Sequence, residues 1–307
     1  MKKIALLILF AYNLKTHAQQ NENSNSNWEI GGTSRMNFSQ LALSNWAAGG
    51  QNSVTLNGLM SMHAHKSKGK GRWENFLEIG YGTNKQGQAN WIKTDDVIDF
   101  TSKYSYEAKG NWNYAALLNF KTQLTDGYNY PNDSVKISGL FSPAYFLESF
   151  GFEYKPSDKF SCYIAPITLK ATIVGNQNLA NLGAFGVEAA EIDTAGNIIR
   201  EGENTRTEFG GYIRVYYDTK VVENVNFNIK LELFSNYLEN PQDLDVNWEC
   251  LLSLKVNKFI SATLSTKLIY DKDIDIATDS NNDGINDTFG PEVQFKEVFG
   301  LGLTYTL

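Results

Sequence analysis

From residue 28 to the end of the chain, apolar residues recur at every second position, and helical periodicity is almost absent. Period-two alternation over many segments reads as β-strands with one apolar and one polar face. Between Ser53 and His65, one face carries Val54, Leu56, Gly58, Met60, Met62 and Ala64, and the other Ser53, Thr55, Asn57, Ser61, His63 and His65. The segment from Val225 to Phe234 sets Val225, Phe227, Ile229, Leu231 and Leu233 against Asn226, Asn228, Lys230 and Glu232. Val246, Trp248, Cys250, Leu252 and Leu254 alternate in the same way with Asn247, Glu249, Ser253 and Lys255. No apolar run reaches the roughly 18 residues of a membrane helix, in keeping with a mean hydropathy of −0.34.

Alternation alone fits a soluble sandwich equally well, so the connections decide. Twelve strands are expected near residues 28–40, 51–65, 72–82, 97–109, 112–126, 146–155, 160–174, 207–218, 225–238, 245–257, 259–272 and 292–307. The joints after the even-numbered strands are short turns. Those after the odd-numbered strands, 41–50, 83–96, 127–145, 175–206, 239–244 and 273–291, are mostly long and polar. Short turns at one end and long loops at the other are the signature of an outer-membrane barrel, and most strands exceed the roughly 9–11 residues that cross a bilayer at a tilt. Trp28, Trp73, Trp112, Tyr154, Tyr217, Phe259 and Tyr305 fall near the short-turn end, where a periplasmic aromatic girdle belongs. The expected fold is therefore an all-β transmembrane antiparallel β-barrel of about twelve strands, with short periplasmic turns and long extracellular loops. Glu191 to Arg200 is a candidate extra hairpin around Ala195-Gly196-Asn197.

The first 27 residues read differently. Lys2 and Lys3, the apolar run Ile4 to Ala11 and the small-residue site Thr16-His17-Ala18 have the order of a secretory signal, cut after Ala18. Its removal takes three lysines and no acid, moving the net charge from −7 to −10. Gln19 to Asn27 is a disordered polar lead-in, and the barrel occupies 28–307. This charge argues against nucleic-acid binding, and two cysteines without metal-ligand spacing argue against a zinc module. Cys162 and Cys250 lie on strands three apart, so no disulfide is expected. The ending Gly300-Leu301-Gly302-Leu303-Thr304-Tyr305-Thr306-Leu307 has the alternation that barrel-assembly machinery reads as an added strand. Glu297 interrupts its apolar face, as befits the outer interface.

Five runs carry a family resemblance: Asn45-Trp46-Ala47-Ala48-Gly49-Gly50, Lys93-Thr94-Asp95-Asp96, Ser142-Pro143-Ala144-Tyr145, Ala165-Pro166 and Gly183-Ala184-Phe185-Gly186-Val187. With them the chain resembles domain-of-unknown-function family 3078, secreted proteins of Bacteroidota, over the whole span 28–307. The resemblance implies a secreted outer-membrane β-protein and brings no activity or catalytic residues.

If the apolar faces meet outer-membrane lipid, the lumen receives Arg35, Lys103, Lys121, Arg214, Lys230, Lys255, Lys267 and Lys296 against Glu74, Glu78, Asp99, Glu107, Glu208, Glu232 and Glu249. Near-equal numbers of each sign favour cross-strand pairing over one selective field. A backbone radius of roughly 12 Å follows for twelve strands. Two readings stand side by side: a narrow pore for small polar solutes, and a filled, non-conducting barrel serving as a structural or docking subunit for an outer-membrane protein partner. Asp279, Asn281, Asp283, Ile285 and Asp287 match the opening of a Ca2+ loop, with Gly284 at the sixth position, but Gly290 stands where a bidentate Glu belongs. Calcium binding and a solvated turn both remain open there. Asn45 and Trp46 suit a loop tip packed on the barrel mouth or recognising a partner. An outer-membrane lipid hydrolase is the weakest reading: past the signal only His63 and His65 remain, both facing inward near a periplasmic turn, away from any outer-leaflet ester.

Overall fold

The computed structural model of the chain describes residues 28–44, 50–130, 132–278, 281 and 287–306. Twelve antiparallel strands close into one barrel: β1 (Trp28–Leu41), β2 (Ser53–Lys68), β3 (Gly71–Gln86), β4 (Ile92–Lys109), β5 (Trp112–Thr122), β6 (Ala144–Ser157), β7 (Phe160–Ile173), β8 (Thr205–Val222), β9 (Val225–Asn236), β10 (Leu244–Lys255), β11 (Ile260–Tyr270) and β12 (Gln294–Thr306). Each strand pairs with its sequence neighbours, and β1 closes on β12 through Thr33↔Thr306 to Asn37↔Gly302. Closure removes the sheet edges, so every ladder group inside the bilayer finds a partner.

The turn end is tight. Gly69, Gly110 and Asn224 take φ of 59°, 60° and 65° in two-residue turns, the left-handed backbone that short hairpins require. The opposite end carries loops 42–52, 123–143, 174–204 and 271–293. One expected long loop is absent: in place of 83–96, only 87–91 lie outside strands. Thr83↔Lys93 and Asn84↔Ile92 continue the ladder. The polar Thr83, Asn84 and Lys93 read as loop from composition, but a strand that projects beyond the lipid needs no apolar face. Glu191–Ile192 and Ile198–Arg200 do form a hairpin, turning through Gly196 (φ 87°), and it stays outside the wall. Loop 174–204 has a small core of its own. Helix α1 (Gln177–Asn181) is capped by the Asn176 side chain, and Val174, Leu179, Ala180 and Val187 are buried together.

The apolar faces point outward. Phe295, Phe299, Leu301, Leu303 and Tyr305 of β12, Tyr104 and Tyr106 of β4, and Phe150 and Phe152 of β6 are all exposed, Phe299 by 67%. In water such a belt would be costly; in lipid it is the required surface. Trp28 and Trp73 touch at 5.4 Å, and Trp112 and Tyr154 at 5.1 Å, on the turn-end rim, with Lys66 over the Trp28 ring.

The cross-section is not round. Lys230 of β9 lies 4.0 Å from Asp99 of β4, and Lys121 of β5 lies 3.1 Å from Glu232 of β9. In a circular twelve-stranded barrel of radius roughly 12 Å, strands four or five apart stand more than about 20 Å from each other. Extended Lys and Glu side chains with a hydrogen bond between them span at most about 14 Å. The wall is therefore pinched between β4–β5 and β9. A lobe bounded by β5 to β9 lies on one side of the pinch, and a lobe bounded by β10 to β12 and β1 to β4 on the other.

Candidate functional site: the barrel lumen

Ion pairs between strands that are not neighbours identify the inward faces, because only the interior brings such strands together. Near the turn end, Glu74 of β3 accepts Lys103 at 2.8 Å, Lys155 of β6 at 3.2 Å and Arg72 at 2.8 Å. Lys103 also bonds Glu153 of β6, which takes a further hydrogen bond from Ser105. At mid-height Glu232 joins Lys121, Arg214, Tyr212 and Asn247, while Glu249 joins Lys230 at 2.7 Å and Lys267 at 2.9 Å. Near the loop end Lys170 of β7 holds Glu208, Asp245 of β10 and Asp271. Arg206 holds Glu208 and Asp273, and Lys296 of β12 reaches Asp95 of β4 at 2.7 Å.

Of the residues expected in the lumen, these networks bring together Glu74, Asp99, Lys103, Lys121, Glu208, Arg214, Lys230, Glu232, Glu249, Lys267 and Lys296. Arg35, Glu78, Glu107 and Lys255 lie on inward registers and make no ion pair among the described residues. Sequence reasoning passed over Glu153, Lys155, Lys170 and Asp245; Glu153, Lys155 and Asp245 keep the period-two register, while Lys170 faces inward only because a bulge between Ala165 and Thr168 shifts the register of β7. Asp279, Asp283, Ile285, Asn45 and Trp46 lie outside the described residues. Asn281 and Asp287 are described; they sit at the tip of a hairpin made by Asp275–Thr278 and Thr288–Pro291.

The two lobes differ in chemistry. The β5–β9 lobe is packed by inward Leu117, Tyr163, Ala165, Tyr212 and Phe234, with Leu147 against them; Leu117 is 2% exposed. The residues expected in the lumen were all charged, and this apolar cluster stands beside them. These strands are close enough across the pinch for apolar side chains to exclude water. The other lobe is walled inward by small residues: Ser261, Thr263 and Ser265 of β11, Gly300 and Gly302 of β12, and Gly80 and Gly82 of β3. The Asn37 side chain lies over Gly300 and Gly302, and at Gly302 a Cβ would meet the Met36 carbonyl as well.

A cavity of about 770 Å3 reaches both lobes, lined by Arg35, Glu78 and Ser265 on the small-residue side and by Lys121, Tyr212 and Phe234 at the edge of the apolar cluster. Phe185 of loop 174–204 stands at its mouth. At the turn end of this lobe Phe76 of β3 faces inward and is 41% exposed.

The Lys93-Thr94-Asp95-Asp96 run has a structural task at the mouth. Asp96 accepts hydrogen bonds from the backbone N–H groups of Leu124 and Thr125 and from the Thr125 hydroxyl, while Lys93 bonds Asp96, Gln123 and the Thr125 carbonyl. Together they fasten the base of loop 123–143. Cys162 and Cys250 are free and lie on outward registers of β7 and β10.

No curated protein matches the chain. Among solved structures it is similar to the NanC porin, with 9% identity, 91% of this chain and 100% of that chain covered, and a TM-score of 0.38. It is also similar to an outer membrane channel from Pseudomonas putida F1, with 11% identity, 93% and 99% covered, and a TM-score of 0.38. The translocator domain of the autotransporter NalP from Neisseria meningitidis is 9% identical, with 99% and 97% covered and a TM-score of 0.30. The resemblance expected over 28–307 is found over a shorter span: residues 38–128 match the family described as a protein of unknown function (DUF3078), and that span holds the runs at 45–50 and 93–96 and leaves the other three outside.

Proposed function

We propose that the barrel stands in the outer membrane of a Gram-negative bacterium, exported with residues 1–18 removed, and conducts small polar solutes through its open lobe. The observation that carries this reading is a cavity of about 770 Å3 in the lumen, lined by charged side chains of both signs and bordered on β11 and β12 by inward Ser, Thr and Gly. A wall of small side chains leaves space along its length, and paired charges lining it solvate ions and polar molecules without one dominant sign. The final strand, with Leu301, Leu303 and Tyr305 outward, suits recognition by barrel-assembly machinery. The second reading, a non-conducting barrel that docks a partner, draws on the ion pairs across the pinch, which brace the lumen as a structural core would.

Single-channel recording of the refolded protein in a planar bilayer separates the two. Steady unitary openings are expected, with Ser265→Trp in the open lobe reducing conductance several-fold and Leu117→Ala in the packed lobe leaving it within about twofold of wild type. Folding is checked by faster gel migration of the unheated protein. A folded barrel that never opens rejects the pore, and a chain that stays folded in solution without detergent rejects the membrane reading itself.

A further inference from the structure

The inward charges at mid-height are largely paired with one another; the two imidazoles of β2 are not. His63 and His65 sit two apart on one strand, so both project into the open lobe, with ring centroids 4.9 Å apart and planes 33° from parallel. Neither ring takes a hydrogen bond from a described residue, and His65 Nε2 is enclosed without a partner. The surroundings orient them without engaging their nitrogens. Phe76 of β3 packs edge-on against His65 at 5.0 Å. Gly31 of β1, opposite His63, has no Cβ to keep the imidazole away from the backbone; a Cβ there would lie 2.8 Å from His63 Cε1.

We infer that His63 and His65 form a binding site for a divalent transition-metal ion at the turn-end mouth of the open lobe, with Glu29 adding negative charge from the neighbouring strand. Glu29 is the β1 residue directly opposite His65 and makes no ion pair among the described residues. On the other side of His65, Glu74 is already occupied by Arg72, Lys103 and Lys155, and supplies negative potential rather than a ligand. Two neutral imidazoles spaced i, i+2 on a strand converge on one ion, and imidazole nitrogen selects Zn2+, Ni2+ or Cu2+ over Mg2+ and Ca2+, which take oxygen ligands. The carboxylates of Asp245, Asp271 and Asp273 also lie close together at the loop end. They are neutralised by Lys170 and Arg206 and offer no nitrogen, so they do not compete for the same ions.

The test is equilibrium dialysis of the refolded, detergent-solubilised barrel against ZnCl2, with MgCl2 as control. One zinc per barrel is expected. His63→Asn and His65→Asn should each weaken it by tenfold or more, the double variant should abolish it, and Glu29→Gln should have a smaller effect. Because any histidine variant could perturb the wall, each is first shown to retain heat-modifiable gel migration. As a readout on the wild-type chain, zinc should slow acylation of the histidines by diethyl pyrocarbonate. Equal zinc binding by wild type and a folded double variant, or acylation unaffected by zinc, overturns the site. Binding is measured at equilibrium, so a barrel that fails to conduct leaves this test intact.

Discussion

Glu232 offers the sharpest test of the pinched lumen. Its side chain is 9% exposed and receives the Tyr212 hydroxyl and the Asn247 amide at 2.6 Å each, the Lys121 ammonium at 3.1 Å and the Arg214 guanidinium at 3.7 Å. For Lys121 alone, the gross attraction at an effective dielectric of about 20 is about 5 kcal/mol, much of it offset by the desolvation of both groups. Glu232→Ala leaves Lys121 and Arg214 facing each other without the anion between them, and removing one partner of a buried pair costs about 3–5 kcal/mol. The neighbouring cavity admits water, which places the expected loss near about 3 kcal/mol. Glu232→Gln loses the charge but keeps an acceptor for Tyr212 and a shape that fits Asn247. At about 1 kcal/mol per hydrogen bond, it should lie roughly 1–2 kcal/mol above the alanine variant. Urea-driven unfolding from phospholipid vesicles, followed by tryptophan fluorescence, gives both values. A loss under about 1 kcal/mol for alanine, or equal losses for alanine and glutamine, would refute the claim that this carboxylate ties β5, β8, β9 and β10 together.

Four further outcomes are expected. Leu117→Ala should cost about 2–4 kcal/mol in the same unfolding experiment, because a residue buried in a packed cluster leaves a cavity; an unchanged midpoint would mean the β5–β9 lobe is wet. Glu148 faces outward between Leu118 and Leu169 of the neighbouring strands, so Glu148→Leu should raise stability in vesicles by about 1 kcal/mol, and a decrease would show that this carboxylate does not meet acyl chains. Asp96→Ala should speed proteolysis within 123–143 several-fold by releasing three hydrogen bonds from Leu124 and Thr125; an unchanged rate would assign the anchoring of that loop elsewhere. Added calcium should protect loop 271–293 from proteolysis if Asp279, Asn281, Asp283 and Asp287 hold the ion, and calcium-independent cleavage rejects that site.

The outward faces were legible because each depends only on a residue and its neighbours two away. Val225, Phe227, Ile229, Leu231 and Leu233 announce a lipid face whatever the rest of the barrel does. The pinch depends instead on which residues stand level across the lumen, and nothing local to Lys230 or Asp99 reveals that they meet. The packed lobe did leave a mark that alternation alone obscures. Tyr114-Ala115-Ala116-Leu117-Leu118 in β5 is apolar on both faces, as a strand covered on both sides must be: Tyr114 is outward and 59% exposed, while Leu117 is inward and buried. On β11 and β12 the inward register holds Ser261, Thr263, Ser265, Gly300 and Gly302 against outward Leu264, Phe299 and Leu301. Lipid fixes the outward set in both places, so the inward set is the variable that distinguishes a dry lobe from a wet one. Large apolar residues there draw opposite walls together until water is excluded, and that contraction is what brings Lys121 and Lys230 within reach of Glu232 and Asp99. The ion pairs across the lumen are in this sense a consequence of the apolar lobe beside them. Leu117→Ala combined with Tyr212→Ala should therefore weaken the Lys121–Glu232 coupling measured by a double-mutant cycle; a coupling unchanged in that background would show that the charges pinch the barrel by themselves.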